Sequence, residues 1–160
     1  GEKKVRKAES NGVPLTGAID RVEILRDNSV AIYDYKSGTH ADARLRAPTE
    51  KIPHGGSYWR QLIFYKILYE NRPGFQRSVI ESGISFLVMD NDGKQPTVNV
   101  PMTDENVSLM TEMITDTWAK IQDQQFTGCG DPKCRWCNFV SDNLTEIPAV
   151  SEEIELLDDA

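Results

Sequence analysis

Residues 17–36 read GAIDRVEILRDNSVAIYDYK, two strand-like runs separated by Arg26-Asp27-Asn28. The β-branched and aromatic residues of 30–36 read as one strand, and residues 13–25 as the strand before it. With Asn28 in the left-handed conformation, a three-residue loop pairs Leu25 with Ser29, and that register sets Asp20 directly opposite Asp34. Alternation then places Ala18, Asp20, Val22 and Ile24 on one face, and Val30, Ile32, Asp34 and Lys36 on one face of the partner. Two carboxylates and an amine are thus expected side by side among apolar neighbours.

Facing carboxylates with Cβ atoms roughly 5 Å apart repel, and a divalent cation removes that repulsion. Hard cations such as Mg²⁺ bind through one or two carboxylates, water and substrate phosphate. Lys36, two residues from Asp34, is placed to orient an attacking water or to balance charge on a phosphate. This geometry suits phosphodiester hydrolysis. The plainer reading of Asp34-Tyr35-Lys36 by itself is an exposed ion pair of little worth.

Working outward, Asn11-Gly12 is a tight-turn signal that makes residues 2–9 and 13–25 a hairpin, so the chain opens as a three-stranded meander. Residues 38–56 hold three Gly and two Pro without periodicity and read as a long, functional loop. Ser57 is the expected N-cap of a half-buried helix over 58–71, with Trp59, Ile63 and Ile67 on one stripe and Asn71-Arg72-Pro73-Gly74 as its stop. Residues 79–89 read as a strand buried on both faces, turned by Asn91-Asp92-Gly93 into an edge strand at 97–100. Thr103 or Asp104 caps a last helix with Val107, Met110, Ile114, Trp118 and Ile121 at helical spacing. The order βββαββα describes an α/β (α+β) layered domain.

The formal charge of −7 argues against a polyanionic partner only until its distribution is considered. Seven acids and no Lys or Arg fall within residues 141–160, leaving 18 acids against 18 bases in residues 1–140. The expected organisation is therefore a domain over 1–140 and an acidic, disordered tail over 141–160. Lys36, Arg44, Arg46, Lys51 and Arg60 outnumber Asp42 and Glu50 within residues 36–60, a surface on which DNA can dock or simply a solvated basic loop. No apolar run approaches the roughly 20 residues of a membrane span, and the basic residues near the start have no apolar stretch behind them. A cytoplasmic protein without membrane association is expected.

Gly17-Ala18-Ile19-Asp20-Arg21-Val22, Ile32-Tyr33-Asp34-Tyr35-Lys36-Ser37-Gly38 and Gln61-Leu62-Ile63-Phe64-Tyr65, in that order, resemble the RecB-like PD-(D/E)xK nuclease family. That family is found at the C-termini of UvrD/Rep-type helicases and in AddA and AddB, and the resemblance spans roughly residues 2–140. It implies a restriction-endonuclease-like core and a Mg²⁺ or Mn²⁺ site for DNA cleavage built by Asp20, Asp34 and Lys36, with the Tyr35 backbone carbonyl as a further metal ligand. The family's helical glutamine and tyrosine map onto Gln61 and Tyr65, whose four-residue spacing stacks them on one helix face. The resemblance further implies attachment to an ATP-dependent helicase acting in DNA repair or recombination; the alternative is an inactive nuclease-like module that binds DNA or scaffolds such a complex.

Two features depart from the family. Its first acidic or histidine ligand comes from a helix upstream of the meander, whereas the acids here, Glu2 and Glu9, fall on the first strand, so a fragment with an incomplete metal site is expected. Several members also hold an iron–sulfur cluster through an upstream cysteine and Cys-x-x-Cys-x5-Cys. Cys134-Arg135-Trp136-Cys137 is similar, but the last position is Asn143, so no cluster is expected. Cys129 is a candidate third thiolate without a fourth ligand nearby; the simpler expectation is reduced thiols packed beside Trp136.

Overall fold

The computed structural model describes residues 3–38, 42–74, 77–89, 93, 96–125, 128–129 and 131–143. The chain divides into two compact units, residues 1–123 and 124–160. In the first unit, β1 (Lys3–Ser10) and β2 (Val13–Ile19) form an antiparallel pair. They are joined by Asn11 and Gly12 at φ 49° and 78°, the left-handed region a tight hairpin requires. A second sheet has the order β3 (Arg21–Ile24), β4 (Val30–Lys36), β5 (Val79–Phe86) and β6 (Thr97–Asn99). Only β4 and β5 run parallel. A parallel pair needs a crossover, supplied here by α1 (Asp42–Leu45) and α2 (Ser57–Glu70). α3 (Asp104–Gln122) follows β6 and lies against α2 and β2. The second unit contains α4 (Arg135–Asn143). The class is mixed α/β, as expected, but the element order is ββββααββαα.

The meander is not continuous. Its middle strand, expected over 13–25, breaks at Asp20 into β2 and β3, which belong to different sheets. The bend resets the alternation: Ile19 is fully buried and Ala18 exposed, so Ala18 does not share the face of Asp20, and Ile24 at the far end is 64% exposed. Beyond the bend the anticipated register is present. Leu25 N–H donates to Ser29 O over 2.9 Å, Asn28 has φ 66°, and the ladder runs from Ile24↔Val30 to Arg21↔Tyr33. Asp20 is the next residue, outside the ladder at the bend, and its carboxylate acts on that of Asp34.

α2 fills the space between the two sheets. It buries Tyr58, Trp59, Leu62, Ile63, Ile67, Leu68 and Tyr69, a wider face than one stripe, because β1, β2, β4, β5 and α3 all pack on it. Its N-cap is Gly56, not Ser57, and no side chain caps it. Close approach explains the glycine: a Cβ at Gly56 would stand 2.2 Å from Arg44 O, while Gly56 N–H donates to Arg46 O over 2.8 Å. α3 is capped by Thr103, whose Oγ1 accepts from Asn106 N–H.

β5 ends at Phe86, leaving Leu87, Val88 and Met89 exposed, and it is not buried on both faces. Away from α2 the sheet carries polar side chains that satisfy one another at a cleft of about 400 Å³. Tyr33 Oη and Asn99 Nδ2 both donate to Glu81 Oε1, at 2.6 and 3.1 Å. Burial, with Glu81 beside it, pushes the Tyr33 phenol up to about 12. Asn91, Asp92, Glu2 and residues 144–160 lie outside the described residues, so the expected turn at 91–93 is represented only by Gly93. No described helix is long and apolar enough to cross a membrane.

Candidate active site

Asp34 is the one carboxylate buried among the described residues, with 2% of its surface exposed. It follows Val30 and Ile32 on the α2-facing side of β4, so the period of the strand that builds the core also carries the acid into it. Two α2 side chains meet it. Gln61 Nε2 donates to Asp34 Oδ1 over 2.8 Å, and Tyr65 Oη donates to the same oxygen over 3.4 Å. Gln61 Nε2 also donates to Tyr65 Oη over 2.9 Å, the contact that four-residue helical spacing allows.

Asp34 Oδ2 faces the other way. Lys36 Nζ approaches it to 2.7 Å, but no hydrogen bond of acceptable geometry reaches this buried oxygen among the described residues. Asp20, half-buried at the bend, turns its carboxylate toward the same place, and its Oδ2 accepts from Tyr35 N–H over 3.1 Å. A strand residue's carbonyl points to the same side as its N–H, so the Tyr35 carbonyl lies on the Asp20 side of β4. Burial raises the Asp34 carboxyl above its ordinary 3.8; Lys36 opposes the rise and Asp20 adds to it. Burial also raises the Tyr65 phenol, against a hydrogen bond from Gln61 and with the field of Asp34.

The structure therefore brings Asp20, Asp34, Lys36, Gln61 and Tyr65 together. The basic residues divide. Arg44, Arg46 and Lys51 are exposed on α1 and the loop before α2. Arg60 instead turns back, its Nη1 donating to His54 O and Gly55 O at 3.1 and 2.6 Å, and it borders an apolar cleft beside Phe64 and Trp118. One residue step around α2, about 100°, separates it from the face of Gln61. Glu9 is exposed on β1.

Tyr58 was not singled out by sequence reading. Its ring, 8% exposed, takes Lys36 Nζ and Arg44 Cζ each at 5.4 Å from the centroid, and its Oη accepts from Arg44 Nη1 over 2.8 Å. Phe86 supports it at a centroid distance of 6.1 Å. Two cations on one buried aromatic ring place Arg44 beside the Asp34–Lys36 pair. An aromatic in the first turn of a helix is too ordinary a signal to find this from sequence.

A family model of the PD-(D/E)XK nuclease superfamily matches residues 2–141. The chain belongs to this superfamily. No curated protein shows significant sequence similarity to it. The mixed α/β architecture is consistent with the restriction-endonuclease-like fold of PD-(D/E)XK proteins, and membership implies nuclease activity on DNA. PD-(D/E)XK nucleases generally use divalent metal ions. The site fits such an ion: a buried carboxylate oxygen without a hydrogen bond, a second carboxylate opposite it, and a backbone carbonyl alongside are hard oxygen donors.

In the second unit the thiols do not pack on Trp136, which is 78% exposed; Cys129 Sγ and Cys137 Sγ lie 3.5 Å apart instead. The Cys134 thiol is lowered to about 7, first by a backbone hydrogen bond at Cys137 and then by the Cys129 side chain.

Proposed function

We propose that this PD-(D/E)XK chain is the Mg²⁺- or Mn²⁺-dependent deoxyribonuclease domain of an ATP-dependent helicase–nuclease acting in DNA repair or recombination. The observation that carries the catalytic part is Asp34, a buried carboxylate held through Oδ1 by Gln61 and Tyr65, with Oδ2 left to Lys36 and to an ion. The helicase context rests on the likeness of the three motifs, at residues 17–22, 32–38 and 61–65, to RecB-like nucleases.

Asp34, Asp20 and the Tyr35 carbonyl are the groups that would hold the metal. When bound, the ion supplies Lewis acidity toward the scissile phosphate and lowers the pKa of water. The protein's own share is positioning and charge. Gln61 and Tyr65 fix the rotamer of Asp34, so its free oxygen keeps one direction. Lys36, resting on the Tyr58 ring, holds an ammonium beside the carboxylates where negative charge grows during phosphodiester hydrolysis. Arg44, Arg46 and Lys51 offer the phosphate backbone a sequence-independent contact.

The test compares the intact helicase–nuclease with its Asp34→Ala and Lys36→Ala variants on single- and double-stranded DNA, in Mg²⁺, Mn²⁺ or EDTA. Cutting should require the metal and fall about 10²-fold or more in each variant. Equal cutting by all three proteins would remove the catalytic reading. No cutting by the unaltered protein under any of these conditions would leave a DNA-binding or scaffolding module.

A further inference from the structure

From Gly128 to Asp142, the described side chains of the second unit are all exposed except those of Cys134 and Cys137. The apolar residues of α4 are largely exposed: Trp136, Phe139 and Val140 at 78%, 61% and 53%. Ordering backbone costs about 1–2 kcal/mol per residue, and a segment this short with little apolar burial among its described residues has little of that kind to offset it. The side chains it partly covers are those of Cys134 and Cys137, with Cys129 exposed beside them.

Cys129, Cys134 and Cys137 bring their Sγ atoms within 4.8 Å of one another. The Sγ atoms of Cys129 and Cys137 are 3.5 Å apart. Thiolates on one tetrahedral ion with metal–sulfur bonds near 2.3 Å lie roughly 3.8 Å from each other, whereas a disulfide needs about 2.05 Å. Separations of 3.5 Å for one pair and no more than 4.8 Å for the others are longer than a disulfide and compatible with ligands around a shared ion.

The backbone is arranged to the same end. Cys129 N–H is directed at Cys137 Sγ over 3.4 Å. Lys133 N–H donates to Asp131 Oδ1 and Cys134 N–H to Asp131 O, closing a turn that delivers Cys134 to the start of α4. Asn138 N–H donates to Cys134 O, so Cys134 opens the helix and Cys137 falls in its first turn. A helix N-terminus and a donated N–H both favour sulfur in the anionic form that a metal requires. Gly128 lies against the cluster, where an added Cβ would meet Cys137 Sγ at 3.3 Å.

We propose that Cys129, Cys134 and Cys137 form a three-thiolate site for a soft divalent cation, Zn²⁺, whose fourth position is taken by a ligand from solution, and that this ion orders residues 128–143. Three thiols release their protons to the buffer as the ion binds, and no electron is transferred. Among the described residues no fourth Cys, His, Asp or Glu joins the cluster, which separates it from a four-cysteine iron–sulfur centre. The site is independent of the Asp34 constellation and of the nuclease reading.

The whole chain, purified anaerobically with a non-thiol reductant, is analysed for metals and titrated with Zn²⁺, with Co²⁺ as a spectroscopic probe. About one Zn²⁺ per chain is expected. Co²⁺ should give sulfur-to-metal charge-transfer absorption and the visible bands of tetrahedral coordination. Zn²⁺ should slow thiol alkylation and protect residues 128–143 from limited proteolysis. Each of Cys129→Ser, Cys134→Ser and Cys137→Ser should weaken binding by more than about 100-fold, beyond the roughly 10–100-fold that loss of a supporting contact costs. Because these side chains lie outside the first unit, its thermal unfolding should be unchanged in the serine variants. Thiols that react equally fast with and without Zn²⁺, a disulfide between any two of them in the reduced preparation, or stoichiometric iron and sulfide with a brown absorbance would each overturn the proposal.

Discussion

Asp34→Asn keeps the side-chain volume and leaves an amide oxygen where Oδ1 stood, 2.8 Å from Gln61 Nε2 and 3.4 Å from Tyr65 Oη. One negative charge is lost, and the amide nitrogen that replaces Oδ2 is a donor, from which the Lys36 ammonium must turn away toward water. Loss of the charge removes the 2.7 Å ion pair with Lys36, whose side chain is 25% exposed and keeps both water and the Tyr58 ring as partners. It also removes the burial of a carboxylate that is 2% exposed and its repulsion with Asp20. The upward shift of the Asp34 carboxyl decides between these effects, because a raised value means that the folded protein disfavours the ionised form. Without metal at neutral pH, the variant should therefore be the more stable protein, by on the order of 1 kcal/mol and about 4 °C in Tm. The pH dependence has a definite sign. For a carboxyl raised on folding, the contribution is fully present below the ordinary 3.8 and lost as pH rises through the folded value, so the gap in favour of Asp34→Asn closes in acid and opens across that window. Metal reverses the order. An ion at 100 times its Kd stabilises the unaltered protein by about 2.7 kcal/mol, and a site missing one of two carboxylates gains far less. Thermal melting in EDTA and in Mg²⁺ or Mn²⁺, from pH 4 to 8, tests both signs. A variant less stable than the parent in EDTA at every pH, or one with an equal metal-induced shift, would refute the account of Asp34.

Other perturbations separate positioning from charge. Gln61→Ala leaves Asp34 Oδ1 and Tyr65 Oη short of a partner, so stability should fall by about 1–2 kcal/mol and cutting with it; unchanged cutting would show that the rotamer of Asp34 needs no such support. Gly56→Ala drives a Cβ to 2.2 Å from Arg44 O, a backbone clash that must displace α1 or the start of α2, costing about 1–3 kcal/mol by melting. An unchanged Tm would mean that the two segments are not so closely packed. Arg46→Ala and Lys51→Ala should weaken DNA binding alike for all sequences and each reduce the slope of log K against log salt by about 1, read by fluorescence anisotropy across salt concentrations; Arg60→Ala should change that slope less, since its guanidinium is held by His54 O and Gly55 O.

The parts of this fold that sequence discloses are those that local chemistry fixes. Asn28 needs a left-handed backbone, the three-residue loop fixes the register of β3 on β4, and the ladder ends at Arg21↔Tyr33, one residue short of Asp20, whose carboxylate acts on that of Asp34. The four-residue spacing of Gln61 and Tyr65 is equally local and leads directly to the oxygen they share. What sequence hides is set by partners far along the chain. Nothing in residues 13–25 announces that β2 pairs only with β1 while β3 joins the other sheet, because both halves have strand composition and the break falls on a polar residue that a strand would tolerate. Gly56 resembles a loop glycine until Arg44 O is found where its Cβ would be. Arg60 adds to a basic stretch in sequence, but its guanidinium turns back onto His54 O and Gly55 O, a contact that composition does not announce. The same bend that spoils the alternation around Ala18 lets Ile19 finish the core while Asp20, the next residue, turns to the buried carboxylate. A regular strand would have had to put those two side chains on opposite faces, so the irregularity at Asp20 is the feature that permits a hydrophobic core and a two-carboxylate site to be built from consecutive residues.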